Sequence, residues 1–356
     1  MLTPIQAIPY ARLVRRLFSG PVSLQSIAYR QDILCPEEKE TVRPAIFLPG
    51  QIEKVSASMR ESTMEREIAA ATSTTATHAP TIAYHVKDAV LLDGTIYARG
   101  YKQFIADKSL FVSSVREPRH LQSSGLASSY IGTKYFGHWL IDDCLTYRLA
   151  QQLSTPLCLR RPNPSWHQKQ YEEYFDQDWT PTDRALIDHL IVFQDFAQNS
   201  LKRERYNALR ECIKARFKGE GMGMYVYLRR GQTGAIRVIQ NEDEIIDALT
   251  KRGFLVLDVA SDSLDKIIKT LLHAKIIVTL EGSHAAHCVY TTPENSGLLL
   301  LQSPDRFCNV YKGWTDCLNV RYGFVIGAVG DGYYFSTSEI LRTADLMLNS
   351  IEAHVV

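Results

Sequence analysis

The stretch IIVTLEGSHAAH, residues 276–287, decides how the second half of the chain folds. The apolar run at 276–278 has the composition of a buried strand. It ends in Glu-Gly-Ser-His at 281–284, and SHAAHCVYTT predicts the start of a helix. A buried strand that leads through a glycine turn into a helix is one repeat of a parallel α/β sheet.

The segments on both sides of this stretch repeat the same alternation. Strands are predicted in MYVYLRR, FLVLDV and GLLLLQS, and helices in EDEIIDALTKRG and SLDKIIKTLLHAK. Units of this length require right-handed crossovers and parallel strands. The sequence therefore predicts a doubly wound α/β domain at 219–335, in which Asn241 caps the helix that follows it. A last helix, 336–356, has the option of packing back on the N-terminal domain.

The preceding part of the chain, 1–218, is expected to form a separate N-terminal domain. Short runs with turn signals, among them TIAYHV and AVLLDGTIYARG, predict extra β-strands in its first third. From Phe136 onward, predicted helices and strands alternate. The run GEGMG at 219–223 is rich in glycine and predicts a hinge or boundary between the two domains.

The composition excludes several classes of protein. In 356 residues, 40 basic against 39 acidic side chains leave a formal charge of +1, which argues against nucleic-acid binding. The 7 cysteines form no C-x-x-C pair, so we expect free thiols in a reducing compartment. No run reaches the roughly 18 apolar residues of a membrane span, and the N-terminus lacks a signal-peptide core. We expect a cytoplasmic protein, with peripheral membrane contact as an option.

The end of the quoted strand predicts an anion site. In an open parallel sheet, ligands bind outside the carboxyl ends of the strands, where helix N-termini present unpaired N–H groups. Gly282 lets the backbone approach a ligand, and Ser283 and His284 can donate hydrogen bonds to phosphate oxygens. The alternative is a strand end with an N-cap serine and a partly buried histidine.

Basic residues are expected at the same sheet edge, on the loop after the domain's first strand. Arg229, Arg230 and Arg237 lie there, and guanidinium groups match phosphate geometry through paired hydrogen bonds. The alternative is a solvated basic loop. Glu281 would repel phosphate, so we expect its carboxylate either to face ribose or sugar hydroxyls or to be held by a nearby arginine.

A second candidate site lies on the predicted helix GHWLIDDCLTYRLA in the N-terminal domain. His138 and Asp142 are four residues apart and share a helix face with Leu145 and Leu149. Such a pair can be tuned for proton transfer, because burial raises a carboxyl pKa and a neighbouring imidazolium lowers it. The alternative is a carboxylate that complements the helix dipole, beside a core histidine. Asp143 is expected to be solvated.

Two other charged features are assigned no site. The only D-x-D sequence, at 176–178, follows a predicted helix and does not end a strand, so we expect no metal site. The basic helix 199–218 carries charge nearly all round and is expected to present a solvated face. Its alternative role is docking to an anionic lipid-linked acceptor or to a membrane surface.

Taken together, these motifs resemble glycosyltransferase family 61, over roughly residues 130–305. The family pattern H-x-x-x-D is matched by His138 and Asp142. The pattern R-x-(several)-R-x-(I/L)-x-N-E and the strand-end pattern G-x-H-G-A are matched by Arg229 or Arg230, Arg237, Asn241 and Glu242, and by residues 282–286. Two positions depart from the family: Ala285 stands where glycine is usual, and Glu281 replaces a common apolar residue.

The resemblance implies a GT-B arrangement, with two Rossmann-like domains facing a cleft. It implies transfer of a sugar from a nucleotide-sugar donor, with inversion and without a metal or other cofactor, to a glycan or lipid-linked glycan of a bacterial surface polysaccharide. Asp142 would act as the base, with His138 orienting it or exchanging roles with it. The donor-binding residues would be Arg229, Arg230, Arg237, Asn241, Glu281, Gly282, Ser283 and His284.

Two other functions are open on the sequence. One is an enzyme resembling polysaccharide pyruvyl transferases, which share the GT-B-like outline and bind a phosphorylated donor. The other is a non-catalytic protein that binds a nucleotide or glycan as the partner of an active transferase.

Overall fold

The computed structural model describes residues 22–107, 117–161, 166–217, 225–231 and 237–353. These residues form two compact units. The first unit takes its described residues from Met1–Glu37 and Ala79–Arg205, and the second takes them from Glu38–His78 and Tyr206–Val356. The prediction of an α/β fold is confirmed. The predicted hinge at 219–223 lies outside the described residues, and the predicted domain boundaries stay predictions.

The strands are given in chain order, together with their bounds. They are β1 Arg30–Cys35, β2 Glu38–Thr41, β3 Thr75–His78, β4 Thr81–Leu92, β5 Thr95–Ala98, β6 Tyr101–Phe104, β7 Arg119–Leu126, β8 Pro156–Leu157, β9 Arg184–Gln194, β10 Tyr225–Arg229, β11 Leu255–Asp258, β12 Ile276–Leu280, β13 Gly297–Gln302, β14 Arg321–Ile326, β15 Ala328–Val329 and β16 Tyr333–Tyr334.

The helices follow in the same way. They are α1 Leu24–Ile27, α2 Met64–Thr72, α3 Tyr130–Lys134, α4 Phe136–His138, α5 Cys144–Leu153, α6 Trp166–Phe175, α7 Ser200–Arg216, α8 Glu242–Lys251, α9 Leu264–Leu271, α10 His287–Thr291, α11 Val310–Cys317 and α12 Thr337–Glu352. Ile52–Lys54 and Ser283–Ala286 are 3-10 turns, and Trp139–Asp143 is a π-helical turn. Among these helices, none combines the length and apolar character needed to cross a membrane.

The second unit contains the predicted parallel sheet. Its strands run in the order β11-β10-β12-β13-β14, and every neighbouring pair is parallel. From β10 the chain moves to β11 on one side and then to β12 on the other, so the strand order reverses at β10. Ligands of open α/β sheets bind outside the carboxyl ends of the strands at such a reversal. Arg230 follows β10 directly and Glu281 follows β12 directly, so the fold places both residues there.

Alternate residues of the central strand fill the core of this sheet. Ile276, Val278 and Leu280 belong to one buried cluster with apolar residues of α8 and α12. The period of two follows from the pleat, which turns successive side chains to opposite faces. Helix α12 begins after Ser336, whose side chain accepts a hydrogen bond from the Glu339 N–H, and it packs on β13 and β14.

The first unit contains a mixed sheet. Its strand order is β6-β5-β4-β9-β7-β8, with β1 on β4. The long strands β4 and β9 are antiparallel, whereas β7 is parallel to both β8 and β9. Hairpins build the β4–β6 side, because Asp93-Gly94 turns the chain with positive φ at both residues. This unit therefore carries the predicted extra β-strands, and its sheet differs from the all-parallel sheet of a Rossmann-like domain.

Candidate functional site

A π-helical turn interrupts the helix predicted over 136–153. Trp139–Asp143 form this turn between α4 and α5, and the Cys144 N–H donates to the Trp139 carbonyl across five residues. Such insertions are rare and are frequent at functional sites, because they change the direction of the side chains around them. Both residues of the predicted proton-transfer pair adjoin or lie in this turn.

The structure brings His138 and Asp142 into direct contact. The His138 Nδ1 lies 2.8 Å from Asp142 Oδ2. The His138 side chain is 27% exposed and that of Asp142 only 8% exposed. Because a carboxylate can only accept, the imidazole donates Nδ1–H in this contact. The pair is therefore a carboxylate-oriented histidine.

Lys202 of α7 holds the other oxygen of Asp142. Its Nζ donates to Asp142 Oδ1 at 3.1 Å and to the Asp195 carbonyl at 2.7 Å. The Lys202 side chain is fully buried. A buried ammonium must be paired, since the cost of removing it from water is otherwise prohibitive. Asp142 thus has a fixed cationic partner that the sequence analysis did not find.

Asp195 extends this buried network by a second ion pair. Arg205 donates to its two carboxylate oxygens, each at 2.7 Å. The Thr146 hydroxyl donates to Asp195 Oδ2 at 3.0 Å. Paired and hydrogen-bonded charges of this kind fix geometry more than they add stability. The network therefore sets the position of Lys202 relative to Asp142.

The prediction that helix 199–218 presents a solvated basic face holds for Lys214 and Arg216, which are exposed, and is wrong for three other basic residues. Lys202, Arg205 and Arg210 are buried, and Arg210 donates to the Thr292 carbonyl at 2.7 Å within the second unit. A signal was present in the sequence, because Lys202 and Arg205 lie at helical spacing from Leu209, on the stripe that is otherwise apolar. Charge counting alone could not show that each has a buried acceptor.

The prediction that Asp143 is solvated was also wrong. Its carboxylate accepts hydrogen bonds from the Ser129 N–H at 3.1 Å and the Ser129 hydroxyl at 2.7 Å. A Cβ on Gly132 would lie 1.9 Å from Asp143 Oδ2, so only glycine leaves room for this carboxylate. Burial outweighs the hydrogen bonds from Ser129 and raises the Asp143 pKa to about 7.

Three acidic residues line a small pocket of mixed polar and apolar character in the first unit. Its volume is about 50 Å³, and Asp142, Asp143, Thr146 and Asp195 contribute to its wall. A pocket of this size takes a few water molecules or one small polar group. Asp142 and Thr146 in its wall can hydrogen-bond such a group.

Opposing effects set the pKa values of the pair. Burial lowers the His138 pKa, but the hydrogen bond to Asp142 and its charge outweigh burial, and the net pKa lies above the usual 6.5. Burial raises the Asp142 pKa, but Lys202 and His138 outweigh it, and the net pKa lies below the usual 3.8. At neutral pH Asp142 is therefore ionised, and His138 is the stronger base of the two.

The second unit gathers a group of basic residues around Glu281. Arg237 donates to the Glu281 carbonyl at 2.8 Å and also contacts its carboxylate. Arg306 donates to Glu281 Oε2 at 2.8 Å, and Arg230 lies 3.4 Å from the Glu281 carbonyl oxygen. The sequence left two roles open for Glu281, and the structure shows it held by arginine. Arg306 was missed, because it follows β13, a different strand from those that carry the motifs.

His284 and Gly282 adjoin this group. The His284 Nε2 lies 2.8 Å from the Thr279 hydroxyl, and His284 is buried. Gly282 has φ +154°, a conformation that other residues rarely adopt, and the Tyr311 hydroxyl donates to its carbonyl at 2.6 Å. Ser283 begins the 3-10 turn Ser283–Ala286, ahead of the short helix α10. The predicted strand–glycine–helix connection is confirmed, with a 3-10 turn as its first part.

Two of the predicted donor-binding residues contact other groups. Arg229 donates to Glu242 at 2.9 Å, on the strand face that also presents the Tyr227 hydroxyl to Glu242. Asn241 does not cap α8 with its side chain. Its amide instead donates to the Phe335 carbonyl at 2.8 Å and accepts from the Phe335 N–H at 3.1 Å.

Within the parts of the chain that the structure describes, no group of His, Cys, Asp and Glu side chains is arranged to hold a metal ion. In the D-x-D sequence, Asp178 accepts hydrogen bonds from the Thr180 N–H at 2.9 Å and from its hydroxyl at 2.6 Å. The seven cysteines are free thiols, as expected.

Two solved structures show a distant likeness to this chain. A flavodiiron protein from Giardia intestinalis has 8% identity and a TM-score of 0.25, covering 47% of this chain and 43% of that chain. A mutant flavo di-iron protein from Thermotoga maritima has 10% identity and a TM-score of 0.29, covering 76% of this chain and 64% of that chain. The chain thus spans less than two thirds of either protein. No curated protein matches the sequence.

The comparison with protein families gives a specific match. Residues 136–299 match the model of Glycosyltransferase 61. The matched residues begin just before His138 and continue past His284, so they contain both predicted sites. The resemblance to glycosyltransferase family 61 that is seen in the sequence is confirmed over residues 136–299.

Proposed function

We propose that this protein is a glycosyltransferase that moves a sugar from a nucleotide-sugar donor to a glycan acceptor, with inversion and without a metal or other cofactor. The family match over residues 136–299 supports this proposal. The observation that carries it is the 2.8 Å contact between His138 and Asp142, whose side chain lines a small pocket. Glycosyl transfer requires such a pair, because the attacking hydroxyl must lose its proton as the new bond forms.

His138 is the better placed of the two to take that proton. Each Asp142 oxygen already accepts a hydrogen bond, and its lowered pKa makes it a weak base. His138 is more exposed, and its raised pKa makes it a stronger base than Asp142. Asp142 then orients the imidazole and stabilises the imidazolium. The acceptor oxygen bonds to the anomeric carbon as the bond to the diphosphate breaks, and its proton goes to His138.

The basic group of the second unit suits the leaving diphosphate. Arg230 contacts the Glu281 carbonyl, and Arg237 and Arg306 contact its carboxylate, so three guanidinium groups face a single negative charge. Preorganised cations of this kind stabilise negative charge that develops on a leaving group. We assign donor binding to these arginines together with Gly282, Ser283 and His284. Arg229 and Asn241 would support the site indirectly, because they hydrogen-bond to Glu242 and to the Phe335 carbonyl.

The finer features of the resemblance are part of the same proposal. They are a GT-B arrangement, a glycan or lipid-linked glycan acceptor of a bacterial surface polysaccharide, and action in the cytoplasm or at the inner face of the membrane. Nucleic acid is not among the proposed partners, because the formal net charge is only +1. A structure with donor and acceptor analogues bound would test the arrangement.

A thermal-shift screen against UDP-, GDP-, CMP- and ADP-sugars tests the proposal. We expect stabilisation that follows one nucleotide base, because a single donor fits the site. The sugar nucleotide with the largest shift is then incubated with the protein and a polysaccharide acceptor, and release of free nucleotide is measured. Protection by no sugar nucleotide would favour the enzyme class that resembles pyruvyl transferases. Binding without release would favour the non-catalytic partner protein.

A further inference from the structure

The space beside Gly282 in the second unit is lined by two polar groups. A Cβ built on Gly282 would lie 3.0 Å from Arg230 Nη1 and 3.2 Å from His284 Nδ1. Glycine therefore leaves a gap between a guanidinium and an imidazole nitrogen that any other side chain would fill. A ligand atom that approaches the backbone here reaches both groups.

The hydrogen bonds of Thr279 determine the tautomer of His284. The Thr279 hydroxyl donates its only proton to the Leu228 carbonyl at 2.7 Å. The 2.8 Å contact between Thr279 Oγ1 and His284 Nε2 must then have Nε2–H as the donor. A neutral imidazole has one N–H, so His284 Nδ1 carries a lone pair and is an acceptor.

The surroundings oppose a second proton on this ring. His284 is 5% exposed. Burial, followed by the positive charges of Arg230 and Arg237, holds the His284 pKa well below its usual 6.5. Within the described residues, Nδ1 has no hydrogen-bond partner. A buried acceptor of this kind costs free energy until a donor reaches it.

We propose that His284 Nδ1 accepts a hydrogen bond from a ribose hydroxyl of the bound donor, while Arg230 beside it contacts a phosphate oxygen. This inference rests on the proposed function and revises the expectation that His284 donates to phosphate. A bare lone pair repels a phosphate oxygen and attracts an O–H. His284 is thus a residue that distinguishes a nucleoside diphosphate from a diphosphate without its nucleoside.

The variant His284→Gln distinguishes the role of the Nδ1 nitrogen from that of Nε2. Its amide keeps an N–H near Nε2, which can donate to Thr279, and it lacks an acceptor at Nδ1. Calorimetric titrations would use inorganic pyrophosphate and whichever of UDP, GDP, CDP and ADP binds the wild type most tightly. We expect the Kd of the nucleoside diphosphate to rise about 3- to 10-fold, as for one lost hydrogen bond, and that of pyrophosphate to stay within about 2-fold. The exposed His273→Gln is the matched control and should change neither Kd.

Equal weakening of both ligands in His284→Gln would overturn the inference, because it would place His284 on the phosphates. Long-range nitrogen-15 spectra of the free protein give a second test. We expect the Nε2–H tautomer between pH 6 and 8, and an Nδ1–H signal would also overturn it. A wild type that binds none of the four nucleoside diphosphates would instead sink the proposed function, and this inference with it. The two failures can be told apart. The inference alone fails when the wild type binds a nucleoside diphosphate and His284→Gln weakens that ligand and pyrophosphate equally.

Discussion

At the scale of single residues, the His138–Asp142 contact couples two protonation states. Asp142 raises the His138 pKa, so the imidazole loses its neutral, proton-accepting form as pH falls through that raised value. In Asp142→Asn the raising charge is absent, and the acidic limb of kcat/KM should move to lower pH. The rate at the optimum should fall about 10²- to 10⁴-fold, the usual worth of general-base catalysis. Both are measured as nucleotide release from the best sugar nucleotide over pH 5–9.

Asp188→Asn is the matched control for this experiment. Asp188 makes an equally short contact of 2.8 Å with His120, but both side chains are more than half exposed. Exposed pairs contribute little, so this variant should keep the turnover and the pH profile of the wild type. An Asp142→Asn enzyme with an unmoved acidic limb would show that His138 is not the proton acceptor.

Glu281 allows a second prediction at this scale. Glu281→Gln removes the carboxylate that Arg237 and Arg306 contact, and leaves their charges to repel each other. We expect a lower melting temperature without ligand, and a larger rise on adding inorganic pyrophosphate than in the wild type, since the anion replaces the lost charge. Asp345→Asn, which breaks the exposed pair with Arg252, is the control. Equal pyrophosphate shifts in Glu281→Gln and wild type would contradict this account.

At the scale of elements, α7 depends on a lysine inside its buried face. Lys202→Met keeps the length of the side chain but leaves the Asp142 carboxylate without its buried cation. Breaking a buried ion pair costs roughly 3–5 kcal/mol, so the free energy of unfolding at pH 7 should fall by about that amount. Lys214→Met on the same helix removes an exposed pair with Glu211 and should leave the free energy of unfolding almost unchanged. Chemical denaturation of both variants gives the comparison, and similar losses would contradict the role of Lys202.

Element prediction succeeded where one local pattern was sufficient. The apolar run at 276–278 predicts β12, and the spacing of His138 and Asp142 predicts their contact, because both depend on residues close in sequence. The π-helical turn Trp139–Asp143 and the burial of Asp143 were not predicted, since they depend on Ser129 and Gly132 packing against the helix. Lys202 and Arg306 reach the sites from distant segments, and no alternation or spacing in the sequence shows such contacts.

At the scale of the whole molecule, buried carboxyl groups have opposite effects on how the free energy of unfolding depends on pH. Asp142 and Asp195 have lowered pKa values, so they contribute stability above the usual carboxyl pKa, and it is lost as pH falls. Asp143 has a pKa raised to about 7 and does the reverse. In the unfolded chain it releases its proton near pH 3.8, so its folded, neutral form loses favour as pH rises from there to 7.

Asp143→Asn isolates this last contribution, because the amide cannot ionise and can still accept from Ser129. As pH rises from 5 to 8, the free energy of unfolding of the variant should increase by roughly 1–3 kcal/mol relative to that of the wild type. Urea denaturation at the two pH values measures the gain, and the exposed Asp188→Asn should show none. A wild type and an Asp143→Asn variant with parallel pH profiles would mean that Asp143 is ionised in the folded protein throughout. The negative charge of Asp143 would then add to that of Asp142 in raising the His138 pKa, and Ser129 together with the charge of Arg161 would stabilise it.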